Sequence, residues 1–239
     1  MPPTAMRVAA LIRPCLPALI VAFTFVVSLG QAQVAPSPVE RAGYSGLFAA
    51  ATRGDVVEVA RLAAAGANVE TRDGNGRTAL IVAAFASQRN AMRALVAAGA
   101  DPNAQDGDRY DIVTIAAVAN DLPTLREALA LGGSARNVTS RYDGTALIAA
   151  AHLGHVEVVR ELIRANAPLD HVNNLGWTAV IESIVLGDGG PRHAATLEAL
   201  ISAGANVNLA DRGGVSPLEL AKRRGYRAMS AALERAGAR

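Results

Sequence analysis

A repeat of about 33 residues constrains the fold of this chain more than any other feature of its sequence. Six hydroxyl or carboxyl residues that could cap a helix follow one another at separations of 33, 33, 34, 33 and 38 residues: Ser45, Thr78, Asp111, Thr145, Thr178 and Ser216. Each could accept a hydrogen bond from the free amides of a helix's first turn. An apolar residue stands two positions after each of them. The period predicts a stack of similar units in place of one large core.

Two further positions of each copy hold glycine or asparagine, which tolerate left-handed backbone, and Ser87 is the weak member of these sets. The first set should end a first helix, and it comprises Gly54, Ser87, Asn120, Gly154, Gly187 and Gly225. The second set should end a second helix, and it comprises Gly66, Gly99, Gly132, Asn166, Gly204 and Gly237. Between the two sets, apolar residues such as Val159 and Leu162 recur at helical spacing. Each copy is therefore predicted to be a pair of short helices.

Two stretches carry a resemblance to the ankyrin repeat: DGNGRTALIVAA at residues 73–84 and DGTALIAAAHLGHVEVVRELI at residues 143–163. The chain resembles this family from Tyr44 to Arg239, in six repeats that begin near residues 44, 73, 106, 139, 173 and 211. The resemblance implies an all-α repeat solenoid, in which ankyrin helix-turn-helix repeats are joined by β-hairpin loops. The histidine of the family's T-P-L-H motif is replaced in every copy, for example by Ile81 and Ile148. We therefore expect apolar packing at that position.

The first 32 residues have the pattern of a secretory signal peptide. Two arginines come before an apolar run, Leu16–Leu29, and the small residues Gly30 and Ala32 predict cleavage after Ala32. An uncleaved N-terminal anchor is the alternative, although the run is shorter than the roughly 20 residues that a membrane-spanning helix needs. Cleavage predicts a periplasmic or secreted protein with no stable membrane anchor.

Removal of this segment would change both the charge and the cysteine content. The full chain has a formal net charge of +2, and loss of Arg7 and Arg13 leaves the mature chain neutral, so its charge does not favour a nucleic-acid partner. The single cysteine, Cys15, is lost as well, which leaves no disulfide and no thiolate nucleophile. Residues 33–43, which contain two prolines, are interpreted as a flexible leader.

The sequence contains no recognisable catalytic motif. G-x-S-x-G and H-E-x-x-H are both missing, and Lys222 does not follow a glycine-rich phosphate loop. His155 occupies the family's structural G-H position, and His152, His171 and His193 fall on different parts of the repeats. Because these side chains are not expected to converge, we predict no catalytic residue, no metal site and no cofactor.

The fifth repeat carries an insertion of five residues within residues 187–193, GDGGPRH. One interpretation is a tolerated extension of a surface loop. The other is a loop that contacts a partner. No Lys-Ser or Lys-Thr pair follows the glycines, so the segment is not predicted to bind phosphate.

The resemblance also implies where a partner would bind: at the loop tips and on the concave face formed by the first helices. Carried over position by position, the candidate partner-binding residues are Phe85, Tyr110, Val118, His152, Leu153, Leu175, Trp177, Val185 and Leu186. Tyr142 falls near these positions, and Glu182 is included because it departs from the alanines that the first and fourth copies have at its concave position. Apolar side chains at such positions in four successive repeats would form an exposed stripe, which is typical of an interaction site. The alternative is that the aromatic side chains pack against neighbouring loops and the aliphatic ones pack between helices.

These observations predict a non-catalytic protein–protein interaction module or scaffold that acts in the periplasm or outside the cell. We expect a monomer that binds another protein. Two alternatives stay open: a secreted factor that acts on host proteins, and a small-molecule or metal-dependent activity in an unrecognised site. For the last of these, Glu182 is the one titratable residue at a suitable concave position.

Overall fold

The computed structural model describes residues 33–239, so the predicted signal peptide lies outside the described residues. Within this range a short helix, α1 (Pro38–Gly43), comes before six helix pairs. The first helices of the pairs are α2 (Gly46–Arg53), α4 (Ala79–Phe85), α6 (Ile112–Val118), α8 (Ala146–Leu153), α10 (Ala179–Val185) and α12 (Pro217–Arg223). The second helices are α3 (Val56–Ala64), α5 (Arg89–Ala97), α7 (Leu122–Ala130), α9 (Val156–Arg164), α11 (Pro191–Ser202) and α13 (Arg227–Arg235). None of these helices is long and apolar enough to cross a membrane.

The helix pairs stack in chain order. Each first helix packs against the first helix of the next pair, and each second helix packs against the next second helix. Every pair therefore contacts chiefly its neighbours, as expected of a repeat solenoid. The prediction of an all-α repeat solenoid is confirmed.

Apolar side chains of the first helices form the centre of the stack. Leu80, Val113, Leu147 and Val180, each two residues after a cap, are fully buried. The position that the family's histidine would occupy is also apolar and buried in three copies, at Ile81, Ile148 and Ile181. In the third copy, Thr114 fills this position, and its hydroxyl donates to the Thr139 hydroxyl at 3.1 Å.

Five of the predicted N-cap residues accept a hydrogen bond from the amide three residues later, at 2.8–3.3 Å: Thr78, Asp111, Thr145, Thr178 and Ser216. Ser45 is the exception. It stands at the N-cap of α2, but its side chain makes no capping hydrogen bond. The next residue, Gly46, has a left-handed φ of 54°, which departs from helical geometry at the start of this helix.

The predicted turns take left-handed backbone in eleven of twelve positions. Even Ser87 adopts a φ of 53°, although serine has no special tolerance for that region. Gly187 is the exception, because the insertion moves the left-handed residue two positions further, to Gly189 with a φ of 69°.

The loops between repeats are tight turns that we call fingers, and each finger takes the number of the repeat that begins with it, so that Asp73 lies on the second finger. In four of them an Asp or Asn side chain accepts from the amides two and four residues later; these residues are Asp73, Asp106, Asn173 and Asp211. Neighbouring fingers are joined by single backbone hydrogen bonds, such as Asn174 N to Tyr142 O at 2.9 Å. Among residues 33–239 the only β-pairing is one isolated antiparallel bridge, Thr139–Gly144, so the predicted β-hairpins are turns without paired strands.

The predicted flexible leader, residues 33–43, requires correction, because Pro38–Gly43 form α1. The Ser37 hydroxyl accepts from the Glu40 amide at 3.2 Å, while the Glu40 carboxylate accepts from the Ser37 amide at 2.7 Å. This reciprocal pair is a capping box, which fixes the start of a helix. The buried guanidinium of Arg77 then donates to the Glu40 carboxylate and to the Val34 carbonyl. The segment is thus held against the second finger.

Candidate functional site

The fourth and fifth fingers present the most exposed of the predicted aromatic and aliphatic contact residues. Tyr142 is 38% exposed and Leu175 is 39% exposed, and their fingers are joined through the Asn174 amide. Trp177 lies half-buried on the fifth finger, whose turn is closed by Asn173. We call Tyr142, Leu175 and Trp177 the finger patch.

The other end of the predicted stripe is less accessible. Phe85 and Tyr110 are partly buried and pack against the hydrophobic core. Ala35, Pro36 and Arg41 of the leader line one small cavity together with Phe85. For Phe85 and Tyr110, packing within the protein therefore fits the structure better than exposure on a contact surface.

The aliphatic residues of the predicted stripe that lie on the first helices are half-buried at the C-terminal ends of those helices: Val118, Leu153, Val185 and Leu186. Partial burial is expected there, because successive first helices pack side by side. The accessible apolar surface among the predicted residues is therefore greatest at the fingers of repeats four and five. Val172, which the sequence did not single out, adds a side chain that is 50% exposed just before the fifth finger.

Glu182 lies in the first turn of α10 and is only 4% exposed. Its Oε1 accepts a hydrogen bond from Asn173 Nδ2 at 2.9 Å. Its Oε2 lies 3.8 Å from His152 Nδ1 of the preceding repeat, which is too long for a hydrogen bond. Burial raises the pKa of Glu182 to about 7, and the Asn173 hydrogen bond opposes that shift.

His152 lies at the end of α8, and its side chain is 41% exposed. Burial lowers its pKa below the ordinary value, and the nearby His193 and His155 lower it further. His152 is therefore mostly neutral at pH 7, so it supplies little positive charge to the Glu182 carboxylate.

The insertion in repeat five is tied to the stack. His193 is buried; its Nδ1 lies 2.7 Å from Asp188 Oδ1, and its Nε2 lies 2.9 Å from the His152 carbonyl. The Tyr226 hydroxyl donates to the Gly187 carbonyl at 2.9 Å. These contacts favour a structural loop extension over a free contact loop, and they support the backbone beside His152.

The remaining histidines serve structural contacts. His155 Nδ1 lies 3.0 Å from the Ala117 carbonyl of the preceding repeat, and His171 Nε2 lies 2.6 Å from the Asp143 carbonyl. In the part of the chain that the structure describes, no three His, Cys, Asp or Glu residues are grouped closely enough to hold a metal ion.

Asn173 is the residue of this site that sequence reasoning missed. Its Oδ1 accepts from the Leu175 and Trp177 amides, both at 3.0 Å, and its Nδ2 reaches Glu182. The three aligned fingers have aspartate at this position. A signal was present in the sequence, since the one copy with asparagine is also the one copy with glutamate four residues after the cap.

Comparison with known proteins agrees with this architecture. The model of the family described as ankyrin repeats matches residues 21–106 and 113–211. The Escherichia coli K12 ankyrin repeat protein YahD is 36% identical over 190 residues, which is 79% of this chain and 94% of that protein. An ankyrin repeat domain from Acinetobacter baumannii AYE has 42% identity and a TM-score of 0.76, with 81% of this chain and 98% of that chain covered. The ankyrin repeat domain of Bcl-3 has 28% identity and a TM-score of 0.73, with 82% and 88% covered.

The sequence period, the stacked helix pairs and these matches agree with one another. Together they show that the chain belongs to the ankyrin-repeat family.

Proposed function

We propose that this protein is a non-catalytic binding module that is exported and attaches to another protein through repeats four and five. Ankyrin repeats are protein-interaction modules, and membership of the family is consistent with such a role. Export, the location of the binding surface and a monomeric state are proposed together with this role.

One observation carries the choice of surface. Tyr142 and Leu175 are each more than a third exposed, and they lie on two fingers that hydrogen-bond to each other. Exposed apolar side chains on neighbouring elements mark interaction sites, and aromatic residues are favoured as binding anchors. Trp177, on the same finger as Leu175, and Leu153, at the C-terminal end of α8, are half-buried. A partner that covers this surface would remove these apolar groups from water.

A crosslinking pull-down of the full protein from its own cells tests this surface. The informative variant is Tyr142→Ser combined with Leu175→Ser, because both side chains are exposed and their loss should leave the core intact. The matched control is Val57→Ser on α3, where an equally apolar side chain is 80% exposed on another element.

We expect one protein to be recovered with the wild type and the control and to be lost with the double variant. Equal recovery with all three proteins would contradict the proposed surface. Circular dichroism melting of each variant is required alongside, since loss of folding would also remove the partner.

Export is tested separately by cell fractionation and by sequencing the N-terminus of the mature protein. Cleavage after Ala32 predicts a chain that starts at Gln33 and is found in the periplasm or the medium. Recovery from the medium would favour the secreted factor that acts on host proteins. An intact N-terminus in the cytosol would contradict export while leaving the binding surface in place.

A further inference from the structure

The Glu182 carboxylate forms an acidic point beside the finger patch. We infer that it is the docking point for a basic side chain, arginine or lysine, of the protein partner. This inference rests on the proposed function and adds the chemistry that the partner must present.

The Glu182 carboxylate is incompletely hydrogen-bonded. Oε1 accepts from Asn173, whereas Oε2 accepts no hydrogen bond from the described residues. The Glu182 side chain keeps 6% of its surface exposed, and Oε2 is not fully enclosed. A carboxylate oxygen that is mostly withdrawn from water and still open on one side favours a donor from outside.

The repeat itself does not require an acidic residue at the position of Glu182. The residue four places after the cap is Ala49, Val82, Ile115, Ala149 or Leu220 in the other copies. An apolar residue there would pack without the cost of removing a charge from water. In repeat five, Glu182 is paired with Asn173, whose side-chain amide donates a hydrogen bond to it. An aspartate at position 173 would have no such donor. The pair is therefore a built feature of repeat five that folding of the other repeats does without.

The described residues supply little positive charge to the Glu182 carboxylate. His152 is the only basic side chain in contact range of Glu182 in the described part of the chain, and burial keeps it mostly neutral. On the packed helix α11, His193 is engaged with Asp188 and with the His152 carbonyl. On α12, Glu219 pairs with Arg223. A cation from a partner would supply the charge that none of these elements provides.

The position of the acid also suits a protein side chain. Asn173 holds the Glu182 carboxylate with its Nδ2 and the Trp177 amide with its Oδ1. The acidic point and the finger patch are thus fixed by one residue. A partner segment that covers the patch can place a long arginine or lysine side chain at the carboxylate while its apolar stem packs nearby.

A random dodecapeptide library displayed on phage provides the probe. Peptides are selected on the full protein and counter-selected on the Tyr142→Ser and Leu175→Ser double variant, so that the retained peptides use the finger patch. The strongest is synthesised, and its affinity is measured by calorimetry for the wild type and for Glu182→Gln. Gln keeps the acceptor for Asn173, and thermal melting verifies that the variant is folded.

We expect an enriched arginine or lysine in the selected peptides, and Glu182→Gln should weaken binding by at least about tenfold. Replacing the basic residue of the peptide by Gln should cost the wild type a similar factor, and it should change the affinity of Glu182→Gln by less than about twofold. Peptides without a basic residue, or an equal cost in both proteins, would overturn the inference and leave the finger patch supported. If no peptide survives the counter-selection, the proposed function itself is contradicted, and the inference falls with it.

Discussion

At the scale of single residues, Glu182 couples the stability of the fold to pH. Its pKa is about 7 in the folded protein against an ordinary value of 4.5, because burial disfavours the charged form. A carboxyl with a raised folded pKa favours folding when it is protonated. This contribution is complete below about pH 4.5 and is lost as the pH rises through about 7.

Glu182→Gln should therefore change the pH profile of stability. Because Gln does not titrate, we expect the free energy of unfolding of the variant to exceed that of the wild type by up to roughly 3 kcal/mol at pH 8, and the gap to close towards pH 4.5. Urea unfolding at a series of pH values measures this difference. His152, whose pKa is lowered, contributes in the opposite direction, but it is present in both proteins. Glu157→Gln, which removes a carboxylate that is 60% exposed, is the matched control for the loss of a charge.

Asn173 gives a second prediction at this scale. Asn173→Asp should keep the finger closed, since Asp73, Asp106 and Asp211 close theirs with the same two amide bonds. It would nevertheless place a second carboxylate within hydrogen-bond distance of Glu182. We expect a loss of about 1–3 kcal/mol in the free energy of unfolding at pH 8, because like charges repel and a buried donor is lost.

A double-mutant cycle isolates this cause. In the Glu182→Val background, which reproduces the pair Asp73 and Val82 of repeat two, Asn173→Asp should cost much less. An equal cost in both backgrounds would mean that Asn173 acts on the finger alone. Chemical denaturation of the four proteins at pH 8 decides between these results.

At the scale of elements, the sequence predicts those features that depend on residues close together in the chain. Thr78 and Thr178 cap helices whose amides lie three residues away, so spacing alone predicts the bond. The leader was missed for two reasons. Its capping box, Ser37 with Glu40, is a local signal that the prolines obscured, since Pro38 sits at the first helical position where proline is tolerated. Its attachment to Arg77 joins residues far apart in the chain and leaves no local pattern.

In the candidate site, too, the sequence predicts the local features and misses the contacts between distant residues. Tyr142, Leu175 and Trp177 fall on fingers because the repeat phase places them there. The burial of Glu182 depends on Asn173 and on His152 of another repeat, and the burial of Phe85 involves the leader. Such contacts between separate elements are outside what periodicity can predict.

The insertion loop gives a prediction for an element. Gly189 has a φ of 69°, and a methyl group there would lie 2.3 Å from the Tyr226 ring. Gly204 has a φ of 90° with open space around it, so it serves as the matched control. Gly204→Ala should cost about 1–2 kcal/mol from left-handed backbone alone. Gly189→Ala should cost measurably more, and the excess should shrink in a Tyr226→Ala background, as followed by thermal unfolding. Equal costs for the two glycines would show that the loop is free to move away from Tyr226.

At the scale of the whole molecule, the two ends of the stack differ. Near the N-terminal end the leader lies against repeat two, where Arg77 donates to Glu40 and to the Val34 carbonyl. The sixth repeat closes the C-terminal end, with Leu218, Met229 and Leu233 turned towards the stack. Its polar side chains include exposed ion pairs, Lys222 with Glu234 and Arg223 with Glu219. A solenoid needs such polar ends because each repeat buries its apolar surface only against its neighbours.

A chain that ends at residue 210 should show what the C-terminal cap contributes. It lacks α12 and α13, which pack against α10 and α11, so apolar surface of the fifth repeat becomes exposed. We expect increased binding of an apolar fluorescent dye, a lower melting temperature and self-association in sedimentation experiments. The full chain with Lys222→Gln and Arg223→Gln is the control, because it removes surface charge and keeps the covering helices; its dye binding should match the wild type.

The loss of local stability in the truncated chain should be greatest near Glu182 and the insertion, since the Tyr226 hydroxyl of the sixth repeat donates to the Gly187 carbonyl in the full chain. Hydrogen exchange should therefore rise first in repeat five and stay low in repeats two and three, whereas a uniform rise would indicate that the stack unfolds as one unit instead of from its open end.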